Sequence, residues 1–259
     1  MPSARPLSHK EKTILAIALS WGAGLIDVLG YVTLYHAFVA HMTGNTVSAV
    51  LHGVEHNWRE VLHRGTPIPA FFLGLLSAEA VLEWSKRRGD RRIAARAMSI
   101  EAACLAAFLG LGLSVLGPTP RVTDPSAAQF IALVALIAVA MGVQSAAMRK
   151  IGALTIFTTF MTGTLTKLAK DLCDYFFWLH DRTQGRLAQR FGSVLRLSPR
   201  QESFQSVILL TAVYFSYATG ALCGAFGFHR WGVAIAAAPL TLVVVTVIAD
   251  LVRPISPVP

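Results

Sequence analysis

Asp27 is a carboxylic acid in the middle of the apolar run 13–38. If that run crosses a membrane, an ionisable side chain at its centre costs about 2.5–3.5 kcal/mol on insertion scales. A group kept at such a cost binds a solute, handles a proton or cation, or locks two helices together through a hydrogen bond. Ser20, Gly24, Asp27 and Tyr31 recur at helical spacing, so they share one face, and the polar one turns into a bundle. A buried amide, Gln144, stands in a second apolar run, where it can bridge helices or contact a solute.

Two short segments carry a second kind of chemistry. Thr43, Gly44 and Asn45 follow one apolar run, and Thr162, Gly163 and Thr164 follow another. Glycine permits backbone turns closed to other residues, and Thr or Asn can cap a new helix. A helix that starts at membrane depth aims its positive end at whatever fills the space before it. The pair reads either as two helix N-termini around a central polar solute or as two capped corners at the interface.

Other ionisable groups have plainer readings. Glu79 and Glu83 share a helical face; Glu83 lies beside Lys86 and Arg87, and Glu79 one turn deeper. Glu101, near Arg96, and Asp250, near Arg253, read as interfacial residues at span ends. His36, His41, His52, His56 and His63 cluster near one membrane face, and His52-x-x-x-His56 would put two imidazoles on one side of a helix. With no third ligand this is a solvated helix, and no metal or cofactor is expected. Cys104, Cys173 and Cys223 fit no metal or disulfide pattern and read as small buried hydrophobes.

The elements that must position these groups are long and apolar. Of 259 residues 54% are apolar and 14% charged, against about 25% charged in a soluble domain. A bilayer core of about 30 Å takes about 20 residues of helix. The runs 13–38, 67–85, 98–117, 127–148, 204–228 and 232–252 approach that length. They must be helices, because lipid offers no partner to open backbone groups. The first run is too long and lacks the small-residue cleavage site of a signal peptide. The net charge of +9 sits in the flanks, which points to membrane rather than nucleic acid. With both termini in the cytoplasm, only Arg59, Arg64, Arg121 and Arg230 of the 23 basic residues fall outside, as the positive-inside rule requires. The segments 39–54 and 151–168, apolar yet rich in Thr and Gly, read as re-entrant or interfacial pieces or as second halves of broken helices. The mixed-charge insert 170–203, with Phe176, Phe177, Trp178 and Leu179, suits a cytoplasmic membrane surface.

The chain also repeats itself. Met42-Thr43-Gly44-Asn45 matches Met161-Thr162-Gly163-Thr164; Gly24-Leu25-Ile26-Asp27 faces Gly142-Val143-Gln144-Ser145; Gly74-Leu75-Leu76-Ser77-Ala78 resembles Gly220-Ala221-Leu222-Cys223-Gly224. Three spans per copy invert the second copy. The expected organisation is an all-α bundle of about six spans in two inverted repeats, residues 1–117 and 118–259. Inverted repeats with broken helices are the build of many secondary transporters.

The stretch GLIDVLGYVTLYHAFVAHMTGN, with GVQSAA and TTFMTGTLTKL, resembles the YoaK family of bacterial membrane proteins of unknown function, over about residues 15–252. That family usually has Asn after the Gln, where Ser145 stands here. The resemblance implies a bacterial inner-membrane location and supplies no catalytic residues. Phosphate loops, dinucleotide turns and nucleophile elbows are missing, so no enzyme is expected. The leading expectation is a small-solute permease lined by Asp27, Gly24, Tyr31, Thr43, Gly44, Asn45, Glu79, Gln144, Thr162, Gly163 and Thr164. Its partners are the lipid bilayer, a solute of unidentified chemistry and, as an open question, further copies of the chain. The competing expectation is a membrane sensor or scaffold acting through the 170–203 insert.

Overall fold

The computed structural model describes residues 6–90, 92–117, 127–151, 161–183 and 197–255. Every regular element in them is helical. The helices are α1 (His9–Thr33), α2 (Met42–Val54), α3 (Trp58–Gly65), α4 (Pro67–Arg87), α5 (Ile93–Val115), α6 (Ala127–Ile151), α7 (Met161–Thr183), α8 (Glu202–Trp231) and α9 (Ala237–Val252). Short 3-10 turns occupy Ser198–Arg200 and Gly232–Ala236. Part of the Thr-rich segment (152–160) and part of the charged insert (184–196) lie outside the described residues.

Among the described residues, five stretches are long and apolar enough to cross a membrane, and the last, Glu202–Val252, is 51 residues long and contains both α8 and α9. Between these two, Gly232 takes φ +55°, a left-handed geometry that glycine adopts without a steric penalty. Large apolar side chains such as Phe72, Leu76, Phe215, Leu222, Phe226, Val245 and Ile248 are exposed. In water such a surface would aggregate; here it is the surface offered to lipid. Cys173 and Cys223 lie on exposed surface too, and only Cys104 is partly buried. The expectation of three buried thiols is thus corrected; at Cys223 the thiol lies on the lipid-facing side of α8, where an apolar thiol is accepted as readily as in the core.

Two helix seams organise the bundle: α1 lies along α8, and α6 lies along α4. Each works because glycines remove side chains at the crossing. A Cβ on Gly24 would strike the Tyr217 carbonyl, and one on Gly220 the Trp21 carbonyl. In the other seam, a Cβ on Gly142 would strike the Phe71 carbonyl, and one on Gly74 the Val139 carbonyl. Small residues let membrane helices approach closely and recover dispersion energy where lipid gives no hydrophobic drive. Helix α5 packs on α6 and α9, and α9 also touches α1.

The two ends of the described chain meet. Ser8 caps α1 in a reciprocal capping box with Glu11. Arg253 forks onto Glu11 at 2.9 and 3.3 Å, and the Leu7 amide donates to the Pro254 carbonyl at 3.1 Å. Asp250 is not an interfacial partner of Arg253, as its spacing suggested. It is fully buried and accepts from the amides of Ala95 and Ile255, both at 2.7 Å. It therefore caps the start of α5 from a distant part of the chain, satisfying a donor that the helix leaves open.

Helix α1 stops at Thr33, five residues short of the end of its apolar run. Tyr35 and His36 take positive φ of 49° and 59°, and Arg64 donates to the His36 carbonyl, so the chain reverses there. At the far side of α2, His52 pairs with Glu55 at 3.0 Å. His56 lies past the helix end at φ 56°, so the two imidazoles do not share a helical face.

Candidate functional site

The reversal after Thr33 sends residues 34–41 back down the side of α1. Gly30 makes this return path, since a Cβ there would meet the Val39 side chain. Asn45, wholly buried, holds the returning strand: its Oδ1 accepts from the Phe38 amide at 3.0 Å and its Nδ2 donates to the Phe38 carbonyl at 2.6 Å. Asn45 is thus a clamp for the corner, with Gly44 against the Phe38 ring.

The return ends at Asp27. Its Oδ1 accepts from the Ala40 amide at 3.2 Å, and its Oδ2 from the Tyr217 hydroxyl at 2.7 Å. His41 Nδ1 stands 3.5 Å from Oδ2. Asp27 is 4% exposed, accepts from two donors and has the His41 imidazole as a third polar neighbour. Gly24 contributes indirectly: by letting the Tyr217 backbone touch α1, it brings that residue's hydroxyl onto the carboxylate one turn on.

His41 leads directly into α2, which starts at the depth of Asp27 with no side-chain cap. In front of it lies a cavity of about 480 Å³. Its walls are His41, Met42 and Thr43 at the start of α2, Met161 and Thr162 at the start of α7, and Ile68, Phe71, Phe72 and Leu75 of α4. The two Met-Thr corners therefore face one space, and His41 bridges that space to Asp27. Thr164, one turn into α7, is buried as Asn45 is at the matching position of α2, whereas Gly163 is exposed.

Other residues singled out in the sequence lie elsewhere. Tyr31 is 38% exposed and packs edge-on to His36 and against Phe38. Glu79 pairs with Arg149 at 2.8 Å across α4 and α6, and Glu83 with Arg87 at 3.0 Å. Gln144 bridges helices by donating to the Leu19 carbonyl at 3.1 Å. Tyr217 did not stand out in the sequence, and His41 did so only as one of five histidines near one membrane face. Tyr217 sits three residues before Gly220, and His41 directly before the Met-Thr-Gly motif; each signal is a neighbour of a recognised motif rather than a motif itself.

Helix α7 is held to α8 by its own polar cluster. Asp171 accepts from Lys167 at 2.7 Å and from Ser206. Burial opposes ionisation of Asp171, but Lys167 and Ser206 outweigh it and hold the carboxyl below its ordinary range. Further along, Tyr175 stacks near Trp178 and Phe204, and Arg182 lies over the Trp178 ring, while Phe176 and Phe177 stay exposed.

Residues 15–249 match a family described as a protein of unknown function, DUF1275. The chain belongs to the DUF1275 family. Within it, the chain is 30% identical over 168 residues to the UPF0700 transmembrane protein YoaK of Bacillus subtilis (strain 168), covering 65% of this chain and 70% of that protein. No solved structure matches. This DUF1275 member is thus an integral membrane protein, consistent with its apolar helices and the transmembrane relative.

Proposed function

We propose that this DUF1275 member is a small-solute permease made of two inverted halves, residues 1–117 and 118–259, and that the solute occupies the cavity between the two Met-Thr corners. The observation that carries the reading is that Thr43 and Thr162, 119 positions apart and alike in motif, line one cavity that His41 joins to a buried carboxylate. The positive ends of α2 and α7 turn toward that space and favour a polar or anionic group, and the α4 side chains suit an apolar body. On this reading the chain carries a solute and catalyses no reaction.

The glycine seams support the duplication. Gly24 and Gly142 occupy matching positions in the repeat, as do Gly74 and Gly220, and the carbonyls they meet match as well: Tyr217 with Phe71, and Trp21 with Val139. The first helix of each half thus packs on the second span of the other half by the same contacts. A run of 51 residues spans about 75 Å as helix, enough for two passes of a core of about 30 Å, and the break at Gly232 divides it. That gives six passes. The ends of the described chain, in contact through Glu11 and Arg253, then lie on one side, which the distribution of Lys and Arg suits to the cytoplasm of a bacterial inner membrane.

The test is access. With the native cysteines replaced by serine, Thr43→Cys and Thr162→Cys are placed singly and the protein is reconstituted in oriented vesicles. A membrane-impermeant thiol reagent should label both positions through water, with different rates from the two sides. Failure to label either position from either side overturns the permease reading.

A further inference from the structure

Glu101 lies in the third turn of α5, and a different face of α1 from the one that holds Asp27 looks toward it. It is 1% exposed, and its Oε2 has no hydrogen-bond partner. It borders a crevice too small for a water molecule, whose other walls include Leu19, Gly22 and Ile26 of α1, Gln144 of α6, and Leu242 of α9. Gln144 is 2% exposed. Its amide is committed to the Leu19 carbonyl, so its Oε1 is left in the same crevice, also without a partner.

An ionised carboxylate here would have no cation and would sit beside the negative end of an amide. Among the described residues, the elements around the crevice contribute only apolar groups besides Gln144: Leu19, Gly22 and Ile26 from α1, Met141 from α6, and Pro239, Leu242 and Val243 from α9. On its own helix Glu101 has Leu105 in the crevice and the Cys104 thiol beside it. The charges at the start of α5 are engaged with one another: Arg96 with Asp90 at 2.6 Å, and Asp250 with the Ala95 amide. A bare buried charge costs several kcal/mol or more, while a carboxylic acid costs far less. A carboxylic acid also brings the one thing the crevice lacks, a donor for the Gln144 oxygen.

We propose that Glu101 is a proton-binding site separate from Asp27, which keeps its proton in the closed packing of α1, α5, α6 and α9 and releases it to water when these helices draw apart. On release the O–H bond breaks, the proton passes to water and the carboxylate stays on the protein, so occupancy by the proton and helix packing are linked. Use of this proton to drive solute movement rests on the permease reading; the proton site does not.

The test is infrared difference spectroscopy on the full chain in liposomes at neutral pH, during exchange from H2O to D2O. A carbonyl band of a protonated carboxylic acid should appear, exchange slowly, vanish in Glu101→Gln and survive in Asp27→Asn. Absence of that band in the wild type, or its survival in Glu101→Gln, overturns the proposal. Gln144→Leu, which keeps the carboxyl, should shift the band by removing its acceptor; an unchanged band there overturns the pairing. A hydrophobic carbodiimide should modify Glu101 at neutral pH with or without sodium. Protection by sodium would make this a metal-cation site and overturn the proton assignment. The band can be present while Thr43→Cys and Thr162→Cys resist labelling, so the two readings fail separately.

Discussion

Asp27 and Glu101 are both carboxylic acids buried inside helices of the same bundle, at 4% and 1% exposure, yet their surroundings are opposites. Asp27 is met by an amide, a phenol and an imidazole drawn from three parts of the chain. Glu101 is met by hydrocarbon and the oxygen of an amide. The first environment was built for a group that accepts, and the second for a group that donates. Depth in a membrane therefore says that an acid is under constraint, and only its neighbours say in which protonation state it is held. In this protein the acid with several polar neighbours sits beside a cavity, and the one with an unpartnered oxygen sits inside the packing.

The sharpest way to break that contrast is to replace each carboxyl with an apolar side chain. Asp27→Leu orphans the Ala40 amide and the Tyr217 hydroxyl. Unsatisfied buried donors cost about 1–3 kcal/mol each, so the variant should lose about 2–6 kcal/mol of stability against unfolding in mixed micelles. Glu101→Met strands one acceptor, the Gln144 oxygen, in place of two donors. It should lose about 1–3 kcal/mol, less than Asp27→Leu. Equal losses in the two variants would mean that Glu101 is as well served by its neighbours as Asp27, and the comparison would fall.

The sequence made one of these acids legible and misplaced the other, for a definable reason. Asp27 lies far from either end of its apolar run, so an error of several residues in the boundary, such as the real one between Phe38 and Thr33, leaves it deep. Glu101, read from the apolar run 98–117, falls at the interface beside Arg96. Helix α5 begins at Ile93, Arg96 turns to Asp90, and Glu101 falls inside. Apolar length thus located the helices well and their ends poorly. The chain reversal at Tyr35 and His36 left no mark, because Tyr does not favour positive φ and a lone His, though enriched there, does not mark a turn. Tyr217 reaches Asp27 across 190 positions, a contact that only the glycine seam makes and no local pattern reveals. The Met-Thr-Gly repeat, by contrast, was legible, and its two corners do face one cavity.

A finer cut separates the donors around Asp27. Tyr217→Phe keeps the ring, and the backbone that packs on Gly24 is untouched; only the hydroxyl is lost. A hydrogen bond contributes about 0.5–1.5 kcal/mol net, so the loss should fall in that range and below that of Asp27→Leu, because the Ala40 amide keeps its acceptor. The check is the same micelle unfolding measurement. A neutral result would mean that His41 and Ala40 alone hold the carboxylate, and that the phenol is a neighbour rather than a partner.

Asp171 supplies the third case, an acid with a cationic partner outside the spans, and the smallest effect. Its carboxyl is held below the ordinary value of 3.8 by Lys167 and Ser206 against the opposing effect of burial. An acid whose value is lower in the folded state adds stability that is complete above the ordinary value and is lost as pH falls through the lowered one. Docking of α7 on α8 should therefore hold down to about pH 4 and weaken below it, read by Trp178 fluorescence or by hydrogen exchange along α7. Lys167 is 38% exposed, so solvent screens the pair and the contribution should be about 1 kcal/mol or less. Asp171→Asn, which retains a partner for Ser206, should lose that amount at neutral pH and show a shallower acid transition than the wild type. Identical acid transitions would mean that α7 is held by Tyr175, Trp178 and Phe204 instead, and that the Asp171 cluster merely decorates an aromatic contact.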